Sequence, residues 1–251
     1  MEEVTESRAG GDLHVASTPV TRTPWASTEV ESMGGGRYAA TIDPSWTLAT
    51  FPQGGVVAAL AARAMESELG LGPAAERQQL RSIHGVFVSP VPSGSVEIDV
   101  AVLRHGRSMS QAQATVRAVG AEAGFTALAA FGRTRLGPAF TELTMPVVPP
   151  PEACRSFREP FPPDAGIEQW EPMPFWVHVL EGRPALGSPP WDPSPRTKAE
   201  VATWYRMDDQ PVRSDGTLDP LTSLVMVDVM PRPSSNGSGP DRTGGSLPAS
   251  T

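Results

Sequence analysis

The segment Phe51-Pro52-Gln53-Gly54-Gly55 runs straight into Val56-Val57-Ala58-Ala59-Leu60-Ala61-Ala62-Arg63-Ala64-Met65, where nine of ten residues are apolar and most are small. A helix that is apolar on nearly every side has to be buried on nearly every side. It is too short to cross a membrane, which takes roughly 20 apolar residues. Strand-like runs follow at Leu80 to Ser89 and Ser95 to Ala118. The simplest structure that satisfies both facts is one helix wrapped by a curved antiparallel sheet.

A chain of 251 residues forms one large domain or two small ones. The formal net charge of -8 and the lack of a basic run argue against a nucleic-acid surface or binding to an anionic membrane. A local cluster of arginines could still bind an anionic ligand. Met1 to Asp12 is polar and acidic and does not read as a secretory signal. Cys154 stands alone, so no internal disulfide forms, and a cytoplasmic setting is expected. With only His178 near it in sequence, Cys154 reads as a loop cysteine rather than a nucleophile.

Along the chain, residues 1–35 read as a flexible arm ending in Gly34-Gly35-Gly36. Residues 36–136 read as the first folded unit. Arg37 to Ile42 alternates and carries β-formers, which predicts a strand. The buried helix is expected from Gln53 to about Leu69, stopped by Gly70, Gly72 and Pro73. Val96, Ile98, Val100 and Val102 alternate strictly, Gln111 to Val119 alternates again, and Phe125 to Thr134 supplies another strand. Helix and strands together make an α+β layer.

Residues 137–174 are proline-rich and read as an extended surface linker. A second strand-helix unit is expected over 175–231. Phe175 to Leu180 and Ala199 to Met207 read as strands. Leu221 to Met230 is almost wholly apolar and its β-branched content suits a strand. Asp219 as N-cap and Pro220 at the first helical position favour a helix, which is the reading adopted. Residues 232–251 have a disordered composition.

Four passages together resemble one family. They are Trp46 with Phe51-Pro52-Gln53-Gly54-Gly55; Ile83-His84-Gly85-Val86-Phe87 with Pro90 and Gly94; Val102 through Ser108, Val-Leu-Arg-His-Gly-Arg-Ser; and Asp215-Gly216, Leu218-Asp219 and Asp228-Val229-Met230-Pro231. Over about residues 36 to 231 the chain is similar to the acyl-CoA thioesterase II-like double-hotdog proteins of the actinobacterial type. The resemblance implies an α+β double hotdog and hydrolysis of fatty acyl-CoA. It implies that an aspartate on the second hotdog helix, matched by Asp228, positions a water with a threonine and a glutamine. The threonine falls at or next to Thr251, and the glutamine has no counterpart. On this plan the second hotdog lacks three strands, on the order of 30 residues, and is expected to be incomplete.

The same residues have plainer readings. Asp228 falls on one stripe with Leu221, Leu224 and Val225, where a carboxylate is costly unless paired. It either orients a water or simply bonds a backbone amide or an arginine. Gly54 and Gly55 either aim free amides at a carbonyl oxygen or only allow close packing. Arg104 and Arg107 flank a bend, where they either meet the phosphates of CoA or end a strand in solvent. His84, His105 and His178 lack metal spacing, so neither a metal site nor a cofactor is expected. There is no Gly-x-Ser-x-Gly elbow and no dinucleotide fingerprint, and Asp43 with His84 does not supply a hydratase pair.

The leading expectation is therefore a thioesterase acting on acyl-CoA, with no nucleic-acid or membrane partner. A non-catalytic hotdog that binds acyl-CoA is the main rival. An incomplete second unit would leave Leu221, Leu224, Val225 and Met226 exposed beside an open sheet edge, so a homo-oligomer is expected.

Overall fold

The apolar run after Gly54 forms α1 (Gly54–Glu68). In the computed structural model, residues 23–71, 78–138, 140–160, 162, 172–187, 189, 191–192, 200–213 and 215–229 are described. Gln53 caps the start of α1, its Oε1 accepting the Val56 N–H at 3.1 Å. The end is a Schellman turn. Gly70 takes φ +63°, Leu71 N–H donates to Glu66 O at 2.8 Å and Gly70 N–H to Ser67 O at 3.0 Å.

Ahead of α1 lie β1 (Glu31–Gly34), β2 (Arg37–Ile42) and the short β3 (Thr47–Leu48) and β4 (Phe51–Pro52). After it come β5 (Gln79–Phe87), β6 (Gly94–Arg104), β7 (Met109–Ala118) and β8 (Phe125–Gly132). Six strands form one antiparallel sheet in the order β1-β2-β6-β7-β8-β5. Its inner face is read directly from the alternation. Ala112, Ala114 and Val116 of β7 and Phe125, Ala127, Ala129 and Phe131 of β8 are buried, whereas Gln111 and Gln113 face outward. Alanines on the strands meet Ala59, Ala61, Ala62 and Ala64 on α1, so small residues fill both sides of a tightly packed core. The helix starts beside Phe87 on β5 and ends at β2, where the Tyr38 hydroxyl donates to Glu68 Oε2 at 2.7 Å.

The arm expected over 1–35 is folded in its last part. Trp25 is buried, Trp46 Nε1 donates to Pro24 O at 3.1 Å, and β1 pairs with β2 through glycines 34–36, all at positive φ. The indole cluster outweighs the weak local propensity of this segment.

The second unit holds α2 (Pro174–His178), β9 (Leu180–Leu186), β10 (Ala202–Met207) and α3 (Thr222–Asp228). Phe175 to Leu180, expected as a strand, is instead one helical turn leading into β9. Pro174 suits its first turn, and Phe175 is buried between the rings of Trp46, at 6.1 Å, and Trp176, at 4.9 Å. α3 begins at Thr222, three residues after Asp219. Asp219 Oδ1 still accepts the Leu221 N–H at 3.1 Å, closing the turn that leads into the helix.

The expected exposure of the second helix does not occur. Leu221 and Val225 are fully buried and Leu224 and Met226 half-buried, because α3 packs on α1. Val227 alone of its apolar residues stands exposed. Residues 140–150 of the proline-rich segment run in the open, but Cys154, Ser156 and Phe157 are buried, the last against Trp176 at 4.9 Å. No helix among the described residues is long and apolar enough to cross a membrane.

Candidate active site

Where α1 begins and α3 ends, two helix termini of opposite polarity meet. The positive end of α1 carries unpaired amides and the negative end of α3 carries unpaired carbonyls. Asp228, the last residue of α3, places Oδ2 at 3.1 Å from the Gly55 N–H, which donates to it. Oδ1 accepts no hydrogen bond among the described residues. The Gly54 N–H, one residue earlier on α1, is likewise without an acceptor there.

The two glycines face different neighbours. A Cβ on Gly55 would lie 2.4 Å from Leu224 O and 2.7 Å from Val225 Cα, so α3 approaches α1 along its backbone. A Cβ on Gly54 would lie 3.1 Å from Asp228 Oδ2 and 3.3 Å from the ring of Phe87. Gly54 therefore keeps a gap between the carboxylate and an aromatic wall. That wall is Phe87 packed on Phe125 with ring centroids 4.5 Å apart and planes tilted by 42°, and Phe87 is half exposed.

Two further residues fix the end of α3, and neither was singled out as a site residue from the sequence. Gln53 Nε2 donates to Val225 O at 3.1 Å, and the Tyr205 hydroxyl donates to Val229 O at 2.7 Å. Burial pushes the Tyr205 phenol up, so it stays a donor across the ordinary pH range. Asp228 itself is exposed, not sunk in the apolar stripe, since its side chain turns toward Gly55.

The arginines are not brought to this carboxylate. Phe87, Phe125 and Val116 are in register at one end of the sheet. Arg104 pairs with Gln111 at the other. Ile98, opposite Val116, and Arg104 are separated by roughly 20 Å of strand at about 3.3 Å per residue. Arg104 and Arg107 are exposed. Thr251 lies outside the described residues.

Residues 42–132 match the family model of the acyl-CoA thioesterase N-terminal domain. The chain is similar to the acyl-CoA thioesterase II-like hotdog proteins. A hotdog-fold protein of unknown function from Alicyclobacillus acidocaldarius matches with TM-score 0.61 at 23% identity, over 82% of this chain and 68% of that one. The tesB protein of Mycobacterium avium subspecies paratuberculosis matches with TM-score 0.53 at 21% identity, over 81% of this chain and 65% of that one. An acyl-CoA thioesterase II, TesB2, of Mycobacterium marinum matches with TM-score 0.52 at 19% identity, over 80% and 65%. This chain thus spans about two thirds of each relative's length. No curated protein matches the sequence. The expected α+β hotdog is the fold observed, with α1 as the helix laid in the sheet.

Proposed function

We propose that this chain hydrolyses fatty acyl-CoA thioesters to the free acid and CoA, with Asp228 orienting the attacking water. The observation that carries the reading is the Gly55 N–H bond at 3.1 Å, which holds Oδ2 and leaves Oδ1 free to accept a proton from water. Water attacks the thioester carbonyl carbon, forming a C–O bond as Asp228 takes its proton. The carbonyl electrons move to oxygen, where the Gly54 N–H and the positive end of α1 stabilise the charge. The C–S bond then breaks, and the leaving thiolate of CoA takes the proton from Asp228. Thr251 shares the placing of the water in the family pattern and belongs to this proposal on that ground alone.

In this reading an open apolar groove of about 700 Å³ along α3, whose lining does not include Asp228, Gly54 or Gly55, takes the acyl chain. Its wall includes Met207, Pro211, Leu218, Met226 and Val227, and Val227 is the neighbour of Asp228 in α3. For Arg104 and Arg107 to meet the phosphates of CoA, the substrate has to run the length of the sheet. A cytoplasmic setting completes the reading.

The same Gly55 bond favours one other reading, in which Asp228 is only a cap for α1 and the protein binds acyl-CoA without turnover. Free-thiol release from short to long acyl-CoAs separates the two. Asp228→Asn retains an acceptor for Gly55 and is expected to lose about a hundredfold in kcat. Longer chains are expected to turn over faster, through the groove. A folded protein that binds acyl-CoA but releases no thiol establishes the second reading instead.

Self-association belongs to the proposal as well. Among the described residues β5 ends the sheet with one side unpaired, and Val86 and Phe87 within it and Val88 just after it are exposed. Elution above the monomer mass in size-exclusion chromatography is expected. A concentration-independent monomer rules it out.

A further inference from the structure

Gln53 is 2% exposed, and both ends of its amide are engaged. Oε1 accepts from Val56 N–H in the first turn of α1, and Nε2 donates to Val225 O in the last turns of α3, each at 3.1 Å. A buried amide satisfied at both ends is fixed in one orientation, since either bond broken leaves a buried polar atom unpaired. Val225 stands three residues before Asp228, within the same short helix. The segment that donates to the Val225 carbonyl through residue 53 donates to the Asp228 carboxylate through Gly55, two residues on. These two bonds set where the carboxylate lies relative to the Gly54 N–H.

We propose that Gln53 is a positioning residue for Asp228: it clamps the last turns of α3 to the start of α1 and so holds the carboxylate at the reacting water. The proposal rests on the thioesterase reading for its kinetic consequence but not for its geometry. Gln53 touches no substrate. It acts through the backbone carbonyl of Val225, on a helix too short to hold its own end rigid.

Two variants of the full chain test it. Gln53→Met keeps the length of the side chain without either bond, and kcat is expected to fall about tenfold to a hundredfold with KM little changed. Gln53→Glu sets a carboxylate oxygen against Val225 O. Once protonated it can donate there again, so its kcat is expected to rise as pH falls, a limb that the parent lacks. A merely structural glutamine would change the unfolding midpoint without adding that limb.

The amide resonance of Gly55 gives a readout that needs no turnover. In the parent its exchange with solvent is expected to be slowed by the bond to Asp228, and in Asp228→Ala to speed up. In Gln53→Met it is expected to speed up as well, with the rest of the spectrum unmoved. If it stays as slow as in the parent, or if both Gln53 variants keep the parental kcat at every pH, the proposal is overturned. If Gln53→Met does not fold, the pH limb of Gln53→Glu decides in the same two directions. A parent without turnover overturns the thioesterase reading alone, and the Gly55 resonance then decides for Gln53.

Discussion

Replacing Asp219 with Ala is expected to cost about 3 kcal/mol of folding free energy, measured as a lowered midpoint of chemical unfolding. Asp219 is 2% exposed and sits between two arginines. Oδ2 accepts from Arg63 Nη2 of α1 at 2.8 Å, and Oδ1 accepts from Arg213 Nε at 3.4 Å and from the Leu221 N–H at 3.1 Å. Without it, Arg63 loses its ion pair while its Nε, already buried and without a partner among the described residues, stays where it is. Removing one member of a buried pair costs about 3–5 kcal/mol because the other charge is left uncompensated. The low end applies because Arg63 keeps 22% exposure and its guanidinium lies 5.6 Å over the Trp25 ring. Asp219→Asn keeps the Leu221 bond and is expected to cost less. A loss below about 1 kcal/mol for Asp219→Ala would show that α3 reaches α1 without this cluster.

The fourth member of the cluster gives it a pH dependence. Burial raises the Glu66 carboxyl above its ordinary range, more than the pull of Arg213 lowers it. A group whose folded pKa is raised binds its proton more tightly when folded. Its contribution is full below the unfolded pKa and is lost as pH rises through the folded one. Stability carried by Glu66 therefore declines over the mildly acidic range, and Glu66→Gln is expected to flatten that decline. An unchanged slope in the variant would mean that another group carries it.

What could be read from the sequence was what depends on near neighbours. β2 (Arg37–Ile42) appears where its alternation placed it, and α1 (Gly54–Glu68) lies within the expected span from Gln53 to about Leu69 and is stopped at Gly70. Phe175 to Leu180 misled because six apolar and aromatic residues are too few to show a period. What decided the turn there was the Trp46 ring, from more than a hundred residues away. The site was half legible. The pattern around Asp228 marked an unusual carboxylate, but Gly55 and Gln53 reach α3 from more than 170 residues earlier. No local signal gives Gln53 a second partner beyond its cap.

The two glycines that the sequence left ambiguous can be separated by one methyl group each. Gly55→Ala is expected to destabilise the protein by about 3 kcal/mol. Its Cβ would lie 2.4 Å from Leu224 O, 2.8 Å from Leu224 C and 2.7 Å from Val225 Cα. These are backbone atoms, which no rotamer change can move, so α3 itself has to shift off α1. The helix propensity gained by alanine is at most about 1 kcal/mol and does not offset that. Gly54→Ala meets only side chains, Asp228 Oδ2 at 3.1 Å and the Phe87 ring at 3.3 Å, and both can give. Its stability is expected to stay within about 1 kcal/mol of the parent, because propensity and crowding roughly cancel. Its thiol release is expected to fall, because the methyl fills the gap beside the carboxylate where the proposed mechanism puts the thioester carbonyl. These two results together would assign the packing reading to Gly55 and the binding reading to Gly54. A Gly54→Ala protein that is folded and fully active would return both glycines to packing and remove the α1 amide from the mechanism.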